Sequence, residues 1–402
     1  MKTAIIITDG AADYKIDELG GKTPLEYANK PCIDELTRSA TCGLVKTVPD
    51  GMEPNSDPAI LSILGYDPRI YLKGRSPLEA ASMGLEMRES DTAFRCNLVN
   101  ITESQNSYED KIIIDHSSDD ISTEEADILI KFLHEKFGDD KRRFYTGVSY
   151  RHCILWENCP PYKKFKPPHD ILNKRIGEYL PEEREYLKLM RESYDLLNNH
   201  PVNIKRRENN KKPANSMWLW SPGTKTVLPD FKEKYNLDGT VIAAVDLVKG
   251  IGICAGMQAV KVPGATGNFH TNYKGKGEAA VQAFENGKDL AFVHIEAPDE
   301  CGHQGNTDEK IASIELIDTN IIGPVFKYLD ENYDDFKILI MPDHPTPLSL
   351  RTHTREPVPF LYYNKAGQKD SGITNFCESE IGAKSKIFIE DGSKLLDFIF
   401  SS

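Results

Sequence analysis

Three short apolar runs, one at the front of the chain and two near its end, each stop at side chains that can bind protons or metals. Thr3-Ala-Ile-Ile-Ile-Thr8 runs into Asp9-Gly10, and Leu290-Ala-Phe-Val-His-Ile295 runs into Glu296-Ala-Pro-Asp299-Glu-Cys-Gly-His303. The third, Lys337-Ile-Leu-Ile-Met341, runs into Pro342-Asp343-His344, with His353 following in Arg351-Thr-His-Thr. Near-continuous apolar runs are the pattern of strands buried on both faces, as in a parallel sheet covered by helices. Open α/β sheets place their sites beyond the carboxyl ends of such strands. The runs therefore predict a metal centre assembled from both ends of the chain.

At 402 residues, with 39% hydrophobic and 28% charged side chains, the chain has the profile of a soluble globular enzyme and is too long for one ordinary core. The first ~45 residues read as strand, turn, helix and strand, which is α/β grammar. Between 90 and 237 the texture changes to alternating runs such as Ala93–Ile101 and Tyr150–Trp156, with a capped helix from Ser122 and a long helix from Glu182 to Leu197. After Gly239 the α/β pattern resumes, with a strand at Thr240–Val245 and a helix from Lys310 to Lys327. We expect a discontinuous core domain at 1–89 and 238–402 and an inserted α+β domain at 90–237.

Bulk properties exclude several classes of function. The net charge of −13 disfavours nucleic acid and anionic membrane as partners. No run approaches the ~18 apolar residues of a membrane helix, and Asp9 ends the first apolar stretch short of a signal-peptide core. The eight cysteines contain no Cys-x-x-Cys, which fits neither a disulfide framework nor a thiolate zinc site. The expected compartment is the cytoplasm. Gly250-Ile-Gly252-Ile-Cys-Ala-Gly256 lacks the spacing of a nucleotide-binding loop and reads as a helix packed closely on its neighbour.

Taken singly, each candidate ligand has an ordinary structural reading. Asp9 could cap a turn, Asp299 could cap a helix, and His353 could be an exposed loop residue. Asp299 and His303 are four apart, so a helix would bring both to one face. Three strands ending in carboxylate or imidazole are hard to explain as independent caps. Ligands of this kind, without thiolate, suit Mn²⁺, Zn²⁺ or Fe²⁺ better than Mg²⁺ alone, and their number supports two ions, which together can clamp a displacement at phosphorus. Ser56, in Asn55-Ser56-Asp57-Pro58 before an apolar helical run, offers a hydroxyl at a helix start, where backbone N–H groups suit phosphate.

In order and spacing, Asp9-Gly10, Asn55-Ser56-Asp57, Ala297-Pro-Asp299-Glu-Cys-Gly-His303, Pro342-Asp343-His344 and Arg351-Thr-His353-Thr resemble the alkaline phosphatase superfamily. More narrowly, the chain resembles the archaeal-type cofactor-independent phosphoglycerate mutases along essentially its whole length. That includes Gly65-Tyr-Asp-Pro, Pro77-Leu-Glu-Ala-Ala, Ser149-Tyr-Arg-His152 and Val262-Pro-Gly-Ala-Thr-Gly. The resemblance implies an alkaline-phosphatase-like α/β core with a mostly parallel sheet flanked by helices. One divalent ion, Mn²⁺ before Zn²⁺, Fe²⁺ or Mg²⁺, would be held by Asp299, His303 and His353, and a second by Asp9, Ser56, Asp343 and His344. Ser56 would take the phosphoryl group from 3-phosphoglycerate and return it to the other hydroxyl of the glycerate. Arg151, His152 and Arg95 of the insert are the candidates to neutralise this small phosphorylated carboxylate, and closure of the insert over it would exclude water. Two other readings stand beside this one. Pro168-His-Asp-Ile-Leu172, Asn199-His-Pro-Val-Asn203 and Pro213-Ala-Asn-Ser-Met-Trp-Leu-Trp220 resemble a branch proposed to act as homoserine kinase, although Ser221-Pro222-Gly223 departs from that branch's Gly-x-Gly. A non-catalytic protein stabilised by a structural ion is the remaining alternative.

Overall fold

The computed structural model describes residues 1–103, 107–163 and 165–401, which divide into two compact units. Unit 1 comprises Met1–Leu72 with Val227–Ser402, and unit 2 is Lys73–Thr226. Strands are numbered along the chain. β1 (Lys2–Thr8) and β2 (Thr41–Val45) open unit 1. β3 (Asp91–Ile101), β4 (Ile113–Asp115), β5 (Arg142–Val148), β6 (Arg151–Glu157) and β7 (Ser216–Thr224) belong to unit 2. β8 (Gly239–Ile242), β9 (Gln258–Val260), β10 (Leu290–Ile295), β11 (Phe336–Met341), β12 (Val358–Asn364) and β13 (Phe388–Ile389) return to unit 1.

The sheet of unit 1 has the order β13-β2-β12-β11-β1-β10-β8-β9. Only β12 runs against the rest; the other neighbouring pairs are parallel. Every residue of β10 and β11 is buried, as is β1 beyond Lys2, so both faces are covered, as the unbroken apolar runs predict. Helix Asp246–Cys254 lies against β8, where a Cβ on Gly252 would come 2.5 Å from the Val241 side chain. Here the glycine-rich stretch serves close packing.

Unit 2 is an antiparallel sheet centred on β3, which pairs with β4, β6 and β7, while β5 extends it beyond β6. Helix Thr123–Phe137 packs on β5 and helix Arg184–Leu197 on β7. The Ser122 hydroxyl accepts the Glu125 N–H, the cap expected from the sequence.

The unit borders lie outside and inside the expected ones. Helix Arg75–Ser82 belongs to unit 2 because it packs on β3 and β7, with Ala80 joining Ala93, Cys153 and Leu155 in a small core. Residues 227–237 belong to unit 1, tied there by the Tyr66 hydroxyl on the Pro229 carbonyl and the Phe231 N–H on the Ala255 carbonyl. Two elements also differ from expectation. The strand after Gly239 stops at Ile242 rather than Val245. The helix expected from Lys310 to Lys327 is present but longer, an unbroken helical run of Thr307–Ile317 and Gly323–Asn332 with a π-helical turn at Asp318–Ile322 between them. In that turn the Asp318 carboxylate accepts the N–H groups of Cys32 and Ile33.

Candidate metal centre

The centre forms where β1 is flanked by β10 and β11. Thr8 stands opposite Ile295 and Ile7 opposite Met341, so Asp9, Glu296 and the Pro342-Asp343-His344 segment emerge at one edge of the sheet. Backbone bonds fix the exit: the Asp9 N–H donates to the Ile295 carbonyl, and the Thr346 N–H to the Ala12 carbonyl. Gly10 adopts φ +63°, and a Cβ there would lie 2.6 Å from both Cα and Cβ of Asp299. Only glycine lets Asp299 approach β1 so closely.

Asp299 sits in helix Ala297–Gln304, whose N-cap position is Glu296, so the capping alternative for Asp299 is set aside. One turn later, His303 Nε2 lies 3.2 Å from Asp299 Oδ2. His353 Nε2 lies 3.3 Å from Asp299 Oδ1 and 2.9 Å from His303 Nε2. The far ring nitrogens decide the tautomers. His303 Nδ1 is 3.1 Å from the Arg351 carbonyl, and His353 Nδ1 is 3.1 Å from the Pro54 carbonyl. A carbonyl only accepts, so each Nδ1 carries a proton and each neutral ring turns an Nε2 lone pair inward. Two lone pairs and a carboxylate repel one another at these distances until a cation joins them. Metal bonds of about 2.0–2.2 Å place neighbouring ligand atoms about 3 Å apart, which is the spacing found. A proton answers the same demand. The Asp299 carboxylate lifts His303 to about 9. Burial works against ionisation of Asp299, but hydrogen bonds from His303 and His353 outweigh it and hold the carboxyl well below its usual range.

A second group adjoins the first. His344 Nε2 is 3.2 Å from Ser56 Oγ, 3.4 Å from Asp343 Oδ2 and 3.6 Å from Asp9 Oδ1. Asp343 Oδ1 accepts the N–H groups of Gly10 and His344, while Asp343 Oδ2 and Asp9 Oδ1 are buried without a hydrogen-bond partner. Burial, then the neighbouring charges of Asp343, Asp299 and Glu296, push Asp9 well above the normal carboxylate range. Buried carboxylate oxygens with no donor are costly, and a divalent ion removes that cost. Ser56 is the first residue of helix Ser56–Ile63, so the free N–H groups of the first turn lie beside its hydroxyl. Asn55 occupies the cap position without a side-chain cap bond; its Oδ1 lies 3.1 Å from His353 Nδ1 instead.

Every ligand expected from the sequence thus falls in one cluster of unit 1. The structure adds Thr346, whose hydroxyl donates to Asp299 Oδ1, and His294, whose Nε2 is 3.0 Å from Asp9 Oδ2. It also adds Glu296, grouped with Asp9 and Asp299, and Lys276, fully buried with Nζ 2.9 Å from the His294 carbonyl. Burial drops Lys276 to about 8 and His294 to about 4. The signal for His294 was available, as an imidazole inside an otherwise apolar strand. Lys276 had none, because a lysine in a Gly-Lys-Gly helix segment reads as exposed.

In unit 2 the strand period separates the expected substrate residues. Arg95 stands opposite Cys153, and Asn97 opposite Arg151, so Arg95 and Arg151 share one face. His152 points to the other face, 5% exposed, with Nδ1 accepting the Gly147 N–H, and burial lowers it to about 3. It is a neutral core residue and does not join the arginines. Arg95 stacks on Trp220, 4.0 Å from the ring centre, and pairs with Glu79, which Arg75 also holds. Arg151 lies over Tyr150. His116 and His169 adjoin them, the first against Tyr150 and the second against Trp220.

Comparison with known proteins places the chain. A family described as 2,3-bisphosphoglycerate-independent phosphoglycerate mutase matches residues 37–203. The protein of that name from Methanosarcina barkeri is 45% identical over 99% of both chains, and a probable one from Geobacter sulfurreducens is 44% identical over 99% of both. Among solved structures, the PH0037 protein of Pyrococcus horikoshii has a TM-score of 0.80 at 28% identity, covering 100% of this chain and 96% of that one. The cofactor-independent phosphoglycerate mutase of Thermoplasma acidophilum shares the fold, with a TM-score of 0.66 at 24% identity over 100% and 99% of the two chains. With near-complete coverage at this level of identity, the chain belongs to the 2,3-bisphosphoglycerate-independent phosphoglycerate mutase family.

Proposed function

We infer that the protein interconverts 3-phosphoglycerate and 2-phosphoglycerate through a phosphoserine at Ser56. The observation that carries this reading is Ser56 Oγ at a helix start, 3.2 Å from His344 Nε2 and inside a carboxylate and imidazole cluster. The relatives named above support a mutase, and nothing in them supports the homoserine kinase alternative.

Asp299, His303 and His353 would hold one divalent ion, and Asp9, Ser56, Asp343 and His344 the other, with Mn²⁺ the ion we propose. Such ions supply positive charge for the transferring phosphoryl group and favour ionisation of a serine hydroxyl. Ser56 Oγ forms a bond to phosphorus as the substrate C–O–P linkage breaks, and the departing glycerate oxygen takes up a proton. Return of the phosphoryl group to the other hydroxyl regenerates Ser56, so no net water or nucleotide is consumed. The backbone N–H groups of Ser56 and Asp57, at the start of helix Ser56–Ile63, would receive phosphoryl oxygens. Arg151 and Arg95 are the cations we propose for the substrate's carboxylate. Among the described residues no disulfide joins the cysteines, which suits a reducing compartment such as the cytoplasm. Among the described residues no helix is long and apolar enough to cross a membrane.

Assaying metal-loaded protein with 3-phosphoglycerate alone, and separately with homoserine plus ATP, tests the substrate; turnover of the second pair only would overturn the mutase reading. Ser56→Ala should lower mutase turnover by about 10³-fold or more, the scale of losing a nucleophile, and abolish the phosphorylated species in intact-mass spectra. Unchanged turnover would remove Ser56 from the mechanism.

A further inference from the structure

Behind the Asp9 carboxylate lies an imidazole that the two-ion ligand set leaves unused. His294 is 1% exposed, and neither of its ring nitrogens has a hydrogen-bond partner. Its Nε2 is 3.0 Å from Asp9 Oδ2, close enough for a hydrogen bond, yet the ring is not aligned to make one. Native structures rarely leave such groups orphaned unless an ion or water satisfies them. Metal bonds of about 2.1 Å at right angles put adjacent donor atoms about 3.0 Å apart. A contact of that length, between a ring nitrogen and a carboxylate oxygen that do not hydrogen-bond, is what two ligands of one ion make.

The third member of the group is Asp343. One donor atom from each of Asp9, His294 and Asp343 lies within 4.8 Å of the others, and all three residues are buried. Asp343 Oδ2 is unpartnered in the same way as the His294 nitrogens. We propose that His294 is a further protein ligand of the ion held by Asp9 and Asp343, which rests on the two-ion reading above. A separate third dication behind Asp9 is disfavoured, because Lys276 places its ammonium 2.9 Å from the His294 carbonyl. A second imidazole beside two carboxylates also turns that position toward Mn²⁺, Fe²⁺ or Zn²⁺ and away from Mg²⁺.

The direct test is a crystal structure of the Mn²⁺-loaded wild-type enzyme, with the ions located by anomalous scattering. His294 Nε2 should lie about 2.1–2.3 Å from the ion shared with Asp9 and Asp343. A distance of 3 Å or more from that ion, whether the ring donates to Asp9 or binds a separate third ion, overturns the assignment. In solution, equilibrium dialysis against Mn²⁺ should find two ions on the wild type. His294→Ala and His294→Asn should each keep one at unchanged affinity and bind the other more weakly by at least the ~10–100-fold that losing an outer-shell partner costs, with folding checked by circular dichroism. Two ions held at wild-type affinity by a folded variant would dismiss His294 alone, whereas a wild type that binds fewer than two would dismiss the two-ion reading and the ligand with it.

Discussion

The two units handle charge in opposite ways. Unit 1 buries Asp9, Asp299 and Asp343 against one another and against imidazoles that turn lone pairs inward. Unit 2 displays Arg95 and Arg151 on one sheet face, each backed by an aromatic ring, with Glu79 held between Arg75 and Arg95. The first arrangement leaves buried carboxylate oxygens without donors, which a divalent ion would satisfy. The second is already compensated by ring faces and a carboxylate, so it persists without a ligand. All three tryptophans, Trp156, Trp218 and Trp220, lie in unit 2. Tryptophan emission therefore reports on unit 2 while metal content reports on unit 1.

Asp299→Ala gives the largest expected effect. It removes the carboxylate that faces both His303 and His353, and turnover should fall by about 10²–10³-fold, the scale of losing a principal electrostatic group. One bound ion should be lost by elemental analysis, with the tryptophan-reported unfolding midpoint unchanged. A midpoint that moves with the metal content would break the separation between the units.

Arg151→Ala probes the other side. A lost charge-assisted hydrogen bond to substrate, worth about 1.5–3 kcal/mol, should raise KM about 10–100-fold with metal content unaltered. A fall in kcat at unchanged KM would instead take Arg151 out of substrate binding. Arg95→Met should cost stability as well, because Arg95 also covers Trp220 and pairs with Glu79.

What was legible follows the same division. Strand ends announce themselves, because an apolar run stops at an Asp or His, so Asp9, Asp299, Asp343 and His344 could be read from the chain. Ser56 at a helix start and His353 shortly after His344 were candidates with ordinary structural alternatives, and the spacing of a known family joined them to the set. His294 carried a signal, an imidazole inside an apolar run, but such a residue looks like a packing residue until Asp9 is found beside it. In unit 2, Arg151 and His152 are adjacent in sequence and looked like a pair, but the period of two sends them to opposite faces. The borders were misplaced by the helix Arg75–Ser82, whose sequence does not reveal that it packs on β3 and β7. The long helix after Lys310 runs on through a π-helical turn at Asp318–Ile322, where Asp318 accepts the N–H groups of Cys32 and Ile33, partners some 285 residues away that no local pattern announces.

The smallest predicted effect tests whether unit 2 carries its own titration, independent of the metals. Burial lowers His152 from 6.5 to about 3 in the folded protein. Between those values the unfolded chain binds the proton and the folded one does not, so stability falls as pH falls below 6.5. At one pKa unit per 1.36 kcal/mol, the penalty at pH 5 is about 2 kcal/mol. His152→Asn keeps an acceptor for the Gly147 N–H without the titration. Its tryptophan-reported urea midpoint should change less than that of the wild type between pH 7.5 and pH 5, with or without chelator. Equal pH slopes in the two proteins would show that the imidazole is reached by water. The neutral core assignment for His152 would then give way, and the residue would return to the candidates for substrate contact.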